Sequence, residues 1–121
     1  MNSKLYLVST PIGNYDDITL RALSILKEVD FIICEEFKEA TRLLSHYHIR
    51  KELFSVNEHN EEESSLELIK KLKEGKSAAL ISDCGTPLFS DPGFTLVQMC
   101  INSKIDVIPI PGANSLLPAI I

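Results

Sequence analysis

The chain has 121 residues, 45% of them apolar and 24% charged, with a net charge of −5. That is one ordinary domain, large enough for a real core and too apolar for disorder. No apolar run approaches the ~20 residues of a membrane span, and the acidic balance argues against a segment that grips nucleic acid unaided.

Leu5-Tyr6-Leu7-Val8 near the N-terminus is too short for a signal-peptide core, and no small-residue cleavage site follows it, so a cytoplasmic protein is expected. Cys34, Cys84 and Cys100 are odd in number and widely spaced, with no C-x-x-C pair. They read as small core residues in a reducing compartment rather than a disulfide framework or a zinc site. His46, His48 and His59 show no ligand-like clustering, and no metal is expected.

Taken in chain order, Lys4 to Ser9 reads as a first strand, and Thr10-Pro11-Ile12-Gly13-Asn14 gathers turn residues. A helix then fits Asp16 or Asp17 through Glu28, with Asp17 as its cap and Ile18, Ala22, Ile25, Leu26 and Val29 at helical spacing. Phe31 to Cys34 is a continuous apolar run that suits a strand buried on both faces. A second helix covers Lys38 to Tyr47, Leu53 to Val56 is a faint strand, and Asn57 to Glu63 is a polar, acidic loop. The third helix runs from Ser64 to Glu74, with Gly75 as its stop. Ser77 to Ser82 is the next buried strand. Asp83 to Gly93 is a loop, Phe94 to Asn102 a helix and Ile105 to Ile110 a strand. Asn114 to Ile121 starts another helix. The alternation predicts an open, mostly parallel α/β sheet with helices on both faces. The chain ends in the apolar run Leu116 to Ile121 with no capping glycine or polar tail, as expected of an N-terminal domain that continues into a second one.

In such sheets ligands bind beyond the carboxyl ends of the strands. Thr10 to Asn14, Asp83 to Gly93 and Pro111 to Ser115 follow strands there, and their Gly, Pro, Ser, Thr and Asn content lets backbone groups approach a ligand. Neither the P-loop pattern nor G-x-G-x-x-G is present. The site therefore takes something other than a triphosphate or a typical dinucleotide.

Several blocks carry a family resemblance: Leu7 to Asn14, Asp17 to Leu23, Leu43 to Tyr47, Asn57 to Glu61, Ser82 to Pro87, Ser90 to Gly93 and Pro109 to Gly112. In this order and spacing the chain resembles the ribosomal RNA small subunit methyltransferase I family, of the tetrapyrrole-methylase-like class. The resemblance implies two α/β domains with S-adenosylmethionine in the cleft between them, a homodimer, and methylation of a cytidine ribose 2′-hydroxyl in 16S rRNA of the small ribosomal subunit. Carried over residue by residue, the cofactor wall comprises Pro11, Ile12 and Gly13, then Asp83, Cys84, Gly85, Thr86, Leu88 and Phe89, then Asn114 and Ser115. Glu35 and Glu36, at the end of the second strand, are candidates for a general base.

Two departures stand out. The family's Glu-Asp-Thr-Arg appears as Glu35-Glu36-Phe37-Lys38, which puts the RNA contact in question more than the cofactor. Its Asp-Ala-Gly appears as Asp83-Cys84-Gly85, a small-for-small exchange. Plainer readings stand beside these: Asp83 and Asp91 as turn formers, Glu35 and Glu36 as solvated or capping residues, and Thr10-Pro11 as the shaper of a turn. Two other functions remain open. One is a methyltransferase of the same class acting on a tetrapyrrole or another acceptor, against which Thr10 to Asn14 favours the rRNA branch. The other is a non-catalytic binding or dimerisation module.

Overall fold

The apolar runs become five strands: Lys4–Ser9 (β1), Phe31–Cys34 (β2), Glu52–Ser55 (β3), Ala78–Ser82 (β4) and Asp106–Ile110 (β5). Between them lie four helices, Leu20–Glu28 (α1), Phe37–His46 (α2), Glu61–Lys73 (α3) and Phe94–Asn102 (α4). The computed structural model describes residues 3–10, 15–82 and 93–110. The helix expected at Asn114 to Ile121 lies outside the described residues.

All described strand pairs are parallel, in the order β3-β2-β4-β1-β5. Parallel crossovers are right-handed, so the direction of travel decides which face a helix covers. From β1 to β2 to β3 the chain moves one way, and α1 and α2 bury Ala22, Leu26, Ala40, Leu43 and Leu44 on one face. From β3 to β4 to β5 it moves back, and α3 and α4 bury Leu68, Ile69, Leu72, Leu96, Val97 and Cys100 on the other. Strand residues alternate between the two layers: Leu5 and Leu7 join α3 and α4, and Val8 joins α1 and α2. Every residue of β2 is buried, as its unbroken run Phe31-Ile32-Ile33-Cys34 requires of a strand covered on both faces. The outer strands differ. Glu52 of β3 is exposed, and β5 carries Pro109, which has no N–H to donate.

Two helix starts depart from the sequence expectation. The first helix does not begin at Asp16 or Asp17. Tyr15–Asp17 forms a single 3-10 turn, and Thr19 caps α1, its hydroxyl oxygen accepting the Ala22 N–H at 3.1 Å. Tertiary contacts hold that turn: the Tyr47 hydroxyl donates to the Tyr15 carbonyl, and Asp16 meets His46 at 3.4 Å. Long-range anchoring thus overrides a locally acceptable cap. The third helix starts at Glu61 rather than Ser64. The Asn60 side-chain oxygen accepts the Asn57 N–H at 2.8 Å, and Asn57 Oδ1 accepts the N–H of His59 at 2.9 Å. This reciprocal Asn turn lets the helix start at once, with Glu61, Glu62 and Glu63 in its first turn where the dipole favours them. At the other end Gly75 takes the left-handed stop at φ 98°.

Cys34 and Cys100 are core residues, as expected; Cys84 lies outside the described residues. Burial pushes the Cys34 thiol up to about 11 and the Cys100 thiol up to about 12. Both groups keep their proton to higher pH when folded than when unfolded. The stability they contribute is therefore whole below about pH 9 and is lost as the pH rises through their folded values. In a Cys84→Ser background, Ellman's reagent at about pH 8 should leave both thiols intact until urea unfolds the chain. Prompt labelling of the native protein would contradict the packing. Thr19→Ala should cost about 1 kcal/mol in urea unfolding, whereas Asp17→Ala should cost less than about half that.

Candidate functional site

The strand order sets where a ligand can enter. β1 and β4 are neighbours, and the chain leaves them in opposite directions: from β1 towards β2, from β4 towards β5. Such a reversal opens a crevice beyond the carboxyl ends of the two strands. The register makes those ends level, with Ser9 beside Ser82 and Val8 beside Ile110. The three loops singled out from the sequence therefore leave from three adjacent strands on one edge.

Thr10, the one described residue of the first loop, directly follows β1 and is 6% exposed. Pro11, Ile12 and Gly13, then Asp83, Cys84, Gly85, Thr86, Leu88 and Phe89, and finally Asn114 and Ser115 all lie outside the described residues. Glu35 and Glu36 are described. They follow β2, next to β4, and both are exposed; Glu36 is the residue before α2 and makes no side-chain cap bond. The geometry thus puts both carboxylates on the correct edge, one strand away from the crevice.

Other groups on this edge were not apparent from the sequence. Asn60 Nδ2 and the Ser64 hydroxyl both donate to the Ser55 carbonyl, at 3.2 and 2.7 Å, closing the end of β3. The Thr95 hydroxyl donates to Glu61 Oε2, tying the first turn of α4 to that of α3. Gly93 is the residue before α4 and is buried. A Cβ there would lie 2.7 Å from Leu80 Cδ2, so any side chain at this position requires the Leu80 methyl to shift. The N-x-x-N pattern of Asn57 and Asn60 was the available signal for the first of these, and the Ser90 to Gly93 block marked Gly93; nothing in the sequence pointed to the bond between Thr95 and Glu61.

The charge on this edge is suited to one kind of ligand. Glu35, Glu36 and Glu39 stand at the start of α2, with the exposed Lys38 among them and Glu39 paired to Arg42, and Glu61, Glu62 and Glu63 stand at the start of α3. A polyphosphate would be repelled there, and a ligand bearing cationic centres would be favoured. Among the described residues no three His, Cys, Asp or Glu side chains gather as a metal would need, and no helix is long and apolar enough to cross a membrane. Leu20, Phe37 and Phe94, each the first residue of its helix, are exposed to 85%, 50% and 36%.

A wholly parallel, doubly wound sheet with its strand order reversing at β1 and β4 defines a ligand-binding α/β domain. More narrowly, the chain belongs to the family Tetrapyrrole (Corrin/Porphyrin) Methylases, which matches residues 4–120. It is 51% identical over 116 residues to the ribosomal RNA small subunit methyltransferase I of Pasteurella multocida and to that of Haemophilus influenzae, covering 96% of this chain and 41% of each relative. The protein of the same name from Thermotoga maritima is 46% identical over 97% of this chain and 53% of its own length. The chain therefore spans about half or less of the length of these relatives. Among solved structures, cobalt precorrin-4 methyltransferase matches with a TM-score of 0.74 at 20% identity, over 97% of this chain and 48% of that one. Uroporphyrin-III C-methyl transferase from Thermus thermophilus, complexed with S-adenyl homocysteine, matches with a TM-score of 0.68 at 22% identity, over 96% and 51%. These two share the fold.

Gly93→Ala tests the close approach of α4 to β4. The buried Leu80 has to move, and overpacking of this kind should cost about 1–3 kcal/mol in urea unfolding. An unchanged midpoint would show that Leu80 yields to the added methyl without cost.

Proposed function

We propose that this chain is the N-terminal, cofactor-holding domain of an S-adenosylmethionine-dependent methyltransferase. In the longer protein, a second domain completes the cleft, two copies form a dimer, and a cytidine ribose 2′-hydroxyl in 16S rRNA is methylated. The observation that carries this reading is the 51% identity, over 96% of the chain, to proteins named ribosomal RNA small subunit methyltransferase I. The acidic carboxyl edge supports the cofactor assignment, since S-adenosylmethionine bears a sulfonium and an ammonium.

When bound, S-adenosylmethionine supplies an electrophilic methyl group. In this reading Pro11, Ile12 and Gly13, together with Asn114 and Ser115, would contribute to the wall that holds it. Backbone groups of Asp83, Cys84, Gly85 and Thr86 would suit its charged tail, with the Asp83 carboxylate holding the ammonium or bracing the loop, and Leu88 and Phe89 would suit its apolar parts. Transfer to oxygen is an in-line displacement, so holding the hydroxyl in line supplies much of the rate. The ribose proton has to go to a base, and Glu35 or Glu36 is offered for that role.

The alternative acceptor, a tetrapyrrole, has behind it the family's description and fold neighbours at 20% and 22% identity, which speak to architecture alone, whereas the relatives at 51% identity are named for ribosomal RNA. Isothermal titration of S-adenosylmethionine into this chain, and into a chain extended to the length of its relatives, separates the readings. Binding by the extended chain only is the expected result. It should be accompanied by transfer of labelled methyl to unmodified small ribosomal subunits, reduced in kcat by Glu35→Gln or Glu36→Gln. Binding by neither chain would favour the non-catalytic module, and binding without transfer to the subunits would favour another acceptor.

A further inference from the structure

The net charge of −5 conceals a division of the molecule into two differently charged ends. The carboxyl edge is acidic. At the opposite edge, six of the twelve Lys and Arg side chains gather. Lys70, Lys71 and Lys73 are in the last turn of α3, Lys76 follows in the connection to β4, and Arg50 and Lys51 lead into β3. These two connections emerge together, because β3 and β4 flank β2 with Phe31 level with both Glu52 and Ala78.

Bonds across the edge hold them in place. The Ser77 N–H donates to Asp30 Oδ2 at 2.8 Å, and the Lys51 ammonium donates to the Val29 carbonyl at 2.7 Å. Lys71 lies over the Phe54 ring, 5.1 Å from its centre. Lys51 and Lys71 therefore have structural partners. Arg50, Lys70, Lys73 and Lys76 are exposed, and among the described residues none is in an ion pair; the pairs found are Arg42 with Glu39 and His46 with Asp16. Glu28, Asp30, Glu52 and Glu74 are exposed carboxylates near these connections, Asp30 accepting the Ser77 N–H. The helix dipole accounts for lysines in the last turn of α3. It does not account for Arg50 or Lys76, which belong to no helix.

We propose that this amino-edge cluster docks on the phosphate backbone of RNA and holds the small ribosomal subunit at a point remote from the reacting edge. The inference rests on the rRNA reading above. Four exposed cations on a fixed frame neutralise phosphates and release counterions, which is the main source of sequence-independent RNA affinity. The acidic carboxyl edge cannot supply that grip. The six residues of β1 set the separation of the two edges at about 20 Å. That is shorter than one turn of a duplex, roughly 34 Å for DNA, so a single folded RNA can reach both.

The test uses the full-length protein, unmethylated small ribosomal subunits, and the variant R50Q/K70Q/K73Q/K76Q. The variant should raise KM for subunits about tenfold, leave kcat and S-adenosylmethionine affinity unchanged, and reduce the slope of log affinity against log salt by about 2–3. Replacing the three lysines by arginine, with Arg50 kept, should preserve the wild-type values. An unchanged KM and salt slope would overturn the proposal, as would wild-type binding to phosphatidylglycerol vesicles with no difference between the proteins on subunits. Filter binding of the same subunits requires no methyl transfer. It judges the docking surface even if S-adenosylmethionine binding or transfer fails, which would count against the rRNA reading itself.

Discussion

The placement of β1 beside β4, with Ser9 level with Ser82, is the constraint on which the other features depend. It follows from two right-handed crossovers in each direction, each leaving its helix on a fixed face. Helices α1 and α2 then share one layer and α3 and α4 the other, and the reversal between them opens the only type of crevice that such a sheet offers. Backbone hydrogen bonding and the handedness of the chain thus locate the ligand edge before any catalytic side chain is considered. The side chains adjust this frame locally: Gly93 admits α4 against Leu80, and Asn60 with Ser64 closes the end of β3.

The two ends of the sheet have different tasks in this reading. At the carboxyl edge the first turns of α2 and α3 are acidic, which suits a cationic methyl donor and disfavours phosphate. At the amino edge the last turn of α3 and the connections into β3 and β4 are basic. The dipole of α3 reinforces this division, since acids are stabilised at its start and bases at its end. A net charge is a sum, and for this chain the sum hides the distribution that bears on recognition.

Much of the fold was legible in the sequence because most signals were local. Lys4–Ser9, Phe31–Cys34 and Phe94–Asn102 have the bounds that periodicity suggests. Glu52–Ser55 was faint because an outer strand carries mixed burial and no clean alternation. The misplaced helix starts share a cause: the bonds that decide them are either long-range, as with Tyr47 and Tyr15, or reciprocal bonds from backbone N–H to side-chain oxygen, as with Asn57 and Asn60. Of the candidate site, Glu35 and Glu36 stand on the edge that strand order implies. The loop residues were legible only through family resemblance, since a Gly- and Pro-rich loop carries no periodic signal of its own.

Pro109 has a consequence for solubility rather than for recognition. β5 is an outer strand, paired on one side with β1, and a free row of N–H and C=O groups is a template for sheet growth between molecules. Pro109 is exposed, and without an N–H it cannot donate to an added strand. At the far side β3 is only four residues long and begins at the exposed Glu52, which makes it a poor template too. Both margins of the described sheet are thus discouraged from intermolecular pairing, which protects the folded domain against edge-to-edge aggregation.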